Sequence, residues 1–239
     1  MRPYSKFLTV MREQPANVSQ DWGGSTPPFR RGPEFFKNTD LSSMLLNGDC
    51  VPEGLELRRL IASRLKTQPD EITFAPGSSH VYTQLLSAIT KPGDTVLVDK
   101  PTYDPFTECA KLLGLKVKYF LRSADFEKDW RALKRQTKGI KLLVLSNPNC
   151  PTGLVYPKEF ILRLAKTFPQ VIIDEDFLPL FSNLDTGLGR LSLFSGDRPN
   201  NVYSIGSFTK SIGLGSLRLG WLWAQPKTIR DFQRMANNF

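Results

Sequence analysis

Lys91-Pro-Gly-Asp94-Thr95-Val-Leu-Val-Asp99-Lys-Pro-Thr-Tyr103 is the stretch on which the fold turns. A Pro-Gly turn feeds a short apolar run, and the run ends at once in a carboxylate and a second proline. An unbroken, mostly β-branched run between turn signals reads as a strand buried on both faces. Upstream, Ser78–Ile89 carries apolar residues at helical spacing, Glu71–Phe74 is a short strand, and Gly54–Leu65 is another amphipathic helix. Downstream come a helix from Asp104, a strand Lys116–Leu121, a helix from Phe126, and a strand Lys141–Leu145. A helix from Pro157, strands Val171–Asp174 and Val202–Ile205, and a pairing segment Arg218–Trp223 complete the series. Strands alternating with helices predict an α/β domain with a mostly parallel sheet, covered on both faces.

Residues 1–50 break this rhythm. They are rich in Pro, Gly, Asn and Ser, and read as an extended N-terminal arm with room for one short helix. Residues 51–239 form the expected domain. The 239 residues suffice for a substantial core, and 40% hydrophobic with 23% charged content is ordinary for a soluble globular chain. No apolar run approaches the roughly eighteen residues of a membrane span, and Met1-Arg-Pro-Tyr-Ser-Lys6 lacks an apolar signal core. Cys50, Cys109 and Cys150 stand at unrelated spacings, and His80 is the one histidine. Neither a disulfide framework nor a metal centre is expected, and a cytoplasmic setting is the default. The net charge of +9 raises nucleic acid as a partner. The basic residues are spread along the chain, however, and no recognised nucleic-acid motif accompanies them. The charge reads as solvated surface, with a share facing an anionic cofactor.

The chemistry lies in Ser207-Phe-Thr-Lys210-Ser-Ile-Gly-Leu-Gly-Ser-Leu-Arg218-Leu-Gly-Trp221. A lysine amine held desolvated and partly deprotonated can condense with an aldehyde to a Schiff base. The Arg218 guanidinium and the Ser207 hydroxyl suit a phosphate dianion, which Arg meets with two parallel charge-assisted bonds. Aldehyde and phosphate together point to pyridoxal 5'-phosphate (PLP). Gly77-Ser78-Ser79-His80, between a strand and a helix, offers helix N–H groups to an anion, although an ordinary N-cap would also explain it. Tyr103 follows a strand end, and so does the carboxylate of Val171-Ile-Ile-Asp174-Glu-Asp-Phe177. A tyrosine packed on the sheet end and a helix-capping aspartate are the alternatives. Asn147-Pro-Asn-Cys150-Pro-Thr-Gly153 is a further loop at such an end.

Taken in order, these segments resemble the class I/II aminotransferases, the fold-type I PLP enzymes, over nearly the whole chain from Gly54 onward. The resemblance implies a three-layer α/β/α large domain and a homodimer in amino acid metabolism. It implies transfer of an amino group between an amino acid and a 2-oxo acid through a Schiff base at Lys210, which also moves the α-proton. Ser78, Ser79, Ser207 and Arg218 then hold the cofactor phosphate, Tyr103 stacks on the pyridine, and Asp174 pairs with the pyridine nitrogen. Glu175 and Asp176 are expected to be structural or solvent-facing. The family usually has asparagine where Cys150 stands and tyrosine where Phe177 stands, both donors to the cofactor's phenolic oxygen. A thiol is a weak donor and a phenyl ring is none. The family's C-terminal small domain, with the arginine that grips the substrate carboxylate, is expected to be absent. So is its tyrosine ahead of Gly54, where Asp49-Cys-Val-Pro52 stands. Two alternatives remain open. One is a PLP-dependent decarboxylase resembling threonine-phosphate decarboxylase; the other is a truncated, non-catalytic PLP-binding remnant.

Overall fold

Apolar residues alternate faces along each strand, and the computed structural model of the chain puts helices against both. It describes residues 54–181, 191–212 and 215–236. The expected N-terminal arm, Cys50 and the Asp49–Pro52 segment lie outside these residues. The strands are β1 (Ile72–Ala75), β2 (Thr95–Lys100), β3 (Lys116–Leu121), β4 (Leu142–Ser146), β5 (Val171–Asp174), β6 (Val202–Ser207) and β7 (Gly220–Trp223). The helices are α1 (Leu55–Leu65), α2 (Ser78–Ile89), α3 (Asp104–Leu112), α4 (Phe126–Lys134), α5 (Lys158–Thr167), α6 (Phe208–Ile212) and α7 (Pro226–Ala236). One sheet holds all seven strands in the order β1-β7-β6-β5-β4-β2-β3.

The pairs β2–β3, β2–β4, β4–β5 and β5–β6 are parallel, whereas β7 runs antiparallel to both neighbours. Val96, Val98, Leu142, Val144 and Ile172 pack on one face with Tyr82, Leu85 and Leu86 of α2, Phe106 of α3 and Phe232 of α7. Leu97, Leu143, Leu145, Val171 and Ile173 pack on the other with Ile61 and Leu65 of α1 and Phe160, Ile161 and Leu164 of α5. Successive strand residues therefore serve opposite cores, which is why the strands read as unbroken apolar runs rather than as alternating ones. The three-layer α/β/α architecture expected from the sequence is the one observed.

Element bounds differ from the sequence reading where backbone geometry overrides hydropathy. Glu71 belongs to a 3-10 turn with Pro69, so β1 starts one residue later. β4 likewise begins at Leu142 and takes in Ser146, whose Cα partner across the ladder is Asp174. Arg218 lies outside β7, in a left-handed conformation at φ 48°. Because β1, β2, β4, β5 and β6 point the same way, the segments after Ala75, Lys100, Ser146, Asp174 and Ser207 all emerge at one edge. In open α/β sheets that edge is where ligands bind.

Candidate active site

The start of α2 is shaped by two close approaches. Gly77 has φ +87°, and a Cβ there would stand 2.5 Å from Nη2 of Arg218. A Cβ on Gly220, the first residue of β7, would stand 2.4 Å from the carbonyl carbon of Gly77. The missing side chains let the Arg218 guanidinium and the β7 backbone lie directly on the N-terminal turn of a twelve-residue helix. That turn presents unpaired N–H groups and the positive end of the helix dipole. Thr209, in α6, is buried with a hydroxyl that finds no hydrogen-bond partner, and Ser207, closing β6, is buried with its hydroxyl against the Asp176 carboxyl. Arg218 makes no ion pair among the described residues. Buried hydroxyls, one of them orphaned, a guanidinium and a helix start fit a phosphate dianion.

At the other side of the cavity β5 delivers Asp174. The backbone N–H of Asp176 donates to Asp174 Oδ1 at 3.0 Å, which turns the chain back on itself. Asp176 is only 7% exposed, and its Oδ2 accepts from Ser78 Oγ at 2.6 Å. Burial raises both carboxyls above the usual range, and the charge of Asp176 raises Asp174 further. Lys210, on α6, is pushed the opposite way by burial, with Asp176 opposing the shift. Its Nζ lies 5.7 Å from the centroid of the Phe177 ring. Glu175 does take the expected structural role, accepting from Leu193 N at 2.7 Å and from the Ser204 hydroxyl. Asp176 does not. The tight turn after β5 aims its carboxyl into the cavity instead of into solvent.

Tyr103, hydrogen-bonded to Ser79, and Cys150 complete the walls. Burial and the charge of Asp174 raise the Cys150 thiol. The loop bearing Cys150 is held from below. Asn149 Nδ2 donates to Asp99 Oδ2 at 2.9 Å and to the Pro101 carbonyl at 3.1 Å, and Cys150 N donates to Ser146 Oγ at 3.1 Å. Arg122 joins Asp99 at 3.1 Å and caps the Ser146 and Leu154 carbonyls, each at 2.7 Å. Its guanidinium stacks 3.8 Å from the centroid of the Tyr156 ring.

All eight residues expected from the sequence, Ser78, Ser79, Tyr103, Cys150, Asp174, Ser207, Lys210 and Arg218, line one cavity of about 200 Å³. Asp176, Phe177 and Thr209 line it as well. The sequence reading weighed Asp176 only as structural or solvent-facing, and it passed over Thr209 although that residue adjoins Lys210. It also missed the Arg122–Asp99–Asn149 network. A carboxylate ending the buried strand Thr95–Asp99 was the signal available for that network.

Comparison with known proteins gives the family and the fold. The model of the family described as aminotransferase class I and II matches residues 52–239. A histidinol-phosphate aminotransferase of Syntrophotalea carbinolica is 31% identical over 176 residues, covering 72% of this chain and 47% of that protein. An aspartate aminotransferase of Sulfolobus acidocaldarius is 27% identical over 237 residues, covering 91% and 58% respectively. The solved aspartate aminotransferase of Thermotoga maritima superposes with a TM-score of 0.68 at 24% identity, over 82% of this chain and 56% of its own. A Thermus thermophilus aspartate aminotransferase variant gives 0.65 at 25% identity, over 77% and 53%. The chain thus spans about half the length of the curated relatives it matches. By the match of its residues 52–239 and by its seven-stranded sheet, it belongs to the aminotransferase class I and II family.

Proposed function

We propose that residues 51–239 are a PLP-binding large domain that moves an amino group between an amino acid and a 2-oxo acid. One observation carries this reading: a desolvated lysine, a buried carboxyl and a set of anion donors share one cavity. When bound, PLP supplies an aldehyde for an amine and a ring that draws electrons from the substrate's α-carbon. Arg218, Ser207, Thr209 and the first N–H groups of α2 bind its phosphate. The Tyr103 ring, which lines the cavity, would cover the ring face. Asp174 pairs with the pyridine nitrogen, and the burial that raises this carboxyl in the free protein is offset by that cationic partner. Lys210 holds the cofactor and then moves a proton at the substrate's α-carbon, for which a lowered amine pKa is an advantage. A homodimer in the cytoplasm belongs to the same reading, by family likeness.

Borohydride reduction of the PLP-loaded protein, followed by peptide mapping, should mark Lys210 alone. Label on another lysine, or none, would overturn the assignment. Phe177, at a position where some decarboxylating relatives also carry phenylalanine, favours a second reading in which the same site releases carbon dioxide from an amino acid. Assaying 2-oxo acid against carbon dioxide separates the two.

A further inference from the structure

The end of the cavity suited to a dianion already contains a carboxylate. Asp176 accepts the Ser78 hydroxyl hydrogen at 2.6 Å, and the Ser207 hydroxyl and backbone N–H lie against the same carboxyl. The charged and titratable groups around it come from five elements. Asp174 closes β5, Lys210 lies on α6, Cys150 follows β4, Tyr103 precedes α3 and Arg218 precedes β7. Glu175 faces away toward Ser204 and Leu193, and His80 on α2 is exposed.

As an anion, Asp176 opposes a second anion twice. It repels the incoming charge through a poorly screened interior, and it engages the Ser78 hydroxyl that would otherwise turn toward that charge. With a proton on Oδ1, the same carboxyl becomes a donor, and the Ser78 hydroxyl is free to rotate to the ligand. The Ser207 hydroxyl, which lies against the same carboxyl, is freed in the same way, and Thr209 is buried without a partner. We infer that Asp176 makes anion binding here proton-linked: a phosphate-like dianion enters with the uptake of one proton by Asp176, which thereby sets the pH range in which the site prefers phosphate-bearing over uncharged ligands. The inference rests on reading this cavity as the seat of a phosphate-bearing cofactor.

The sign follows from linkage. Anion affinity is flat below the pKa of Asp176 in the free protein, then falls about tenfold per pH unit up to its pKa in the complex. Burial already holds Asp176 above the usual carboxylate range, so the fall begins above that range. Sulfate is the suitable probe, because it stays a dianion throughout and cannot supply the proton itself. Calorimetric titration of the full chain with sulfate, from about pH 5 to about pH 8.5, should show that slope. Repeating it in two buffers of different ionisation enthalpy should count close to one proton taken up per sulfate on the steep part. Asp176→Asn should abolish the difference in slope and bind sulfate at least about tenfold tighter at the alkaline end. Deprotonation of Lys210 also weakens anion binding, but it acts in both proteins, so the difference between them reports Asp176.

Where Asp176→Asn folds poorly, the proton count in Lys210→Ala, which lacks the competing amine, reports Asp176 in its place. No proton uptake, an unchanged slope in Asp176→Asn, or no sulfate binding at any pH would overturn the inference. Sulfate binding with proton uptake but no cofactor bound at Lys210 would keep it and sink the PLP reading. Cofactor binding without proton uptake would do the reverse.

Discussion

The Lys210 amine is pulled in two directions: burial lowers its pKa, while Asp176, Cys150 and Asp174 raise it. Its surroundings on the phenolic side of the proposed cofactor are unusual for what they withhold. Cys150 offers a thiol, a weak donor, and the Phe177 ring 5.7 Å from Nζ offers none. Donors at those places stabilise the cofactor's phenolate and so lower the pH at which the bound chromophore loses its proton. Here that help is reduced, and the chromophore should stay protonated to higher pH. Cys150→Asn and Phe177→Tyr should each move the absorbance titration of the PLP-loaded protein to lower pH, and the double variant further. The two changes enter one small network, so their effects need not add. An unmoved titration in the double variant would mean that another group already serves that oxygen.

The ends of β2, β3 and β4 are tied together by a buried ion pair, with both the Arg122 and Asp99 side chains fully shielded. Burial outweighs the guanidinium's pull and lifts Asp99 to about 6. A buried acid with a raised pKa favours the folded state at low pH and loses that contribution as pH rises through the folded value. Arg122 limits the loss. Without it the pKa of Asp99 climbs further, and the penalty extends to higher pH. Arg122→Met should cost about 3–5 kcal/mol, as expected when one partner of a buried pair is removed. The cost should be larger at pH 8 than at pH 5 by urea denaturation. Equal losses at the two pH values would show that packing on Tyr156 outweighs the charge. This network was not legible in the sequence, for a physical reason. Arg122 follows β3, an edge strand whose Lys116 and Lys118 are exposed, so one more cation there looks like surface. Only the parallel pairing of β2 with both β3 and β4 brings it over the Asn147–Gly153 loop. By contrast, Asp174 could be singled out in the sequence, because it ends an apolar strand run at the edge where ligands bind.

At the scale of the molecule, the layers were legible because strands buried on both faces leave unbroken apolar runs between helical periods. The site was legible where spacing carries chemistry, as from Ser207 through Lys210 to Arg218. It was not legible at Asp176. Three acids in a row at a strand end look alike in sequence, and only the turn held by the Asp176 N–H brings Asp176 beside Asp174 in the cavity while Glu175 faces away. The same construction predicts how the fold responds to its ligand. The cavity wall is assembled from segments following β1, β2, β4, β5 and β6 and preceding β7, so local opening of nearly any of them dismantles it. A ligand that binds only the assembled wall should therefore stabilise the whole described domain rather than one loop. At a free PLP concentration of about one hundred times Kd, the gain is about 2.7 kcal/mol. For a chain of this size, that corresponds to a rise in Tm of roughly 5–11 °C by calorimetry. Pyridoxal, which lacks the phosphate, should give a smaller rise. Lys210→Ala should keep a part of the PLP shift, because the anion donors at α2, Ser207, Thr209 and Arg218 remain. A PLP shift no larger than that of pyridoxal would show that the phosphate end contributes nothing, and the orphaned hydroxyl of Thr209 would then need a different ligand.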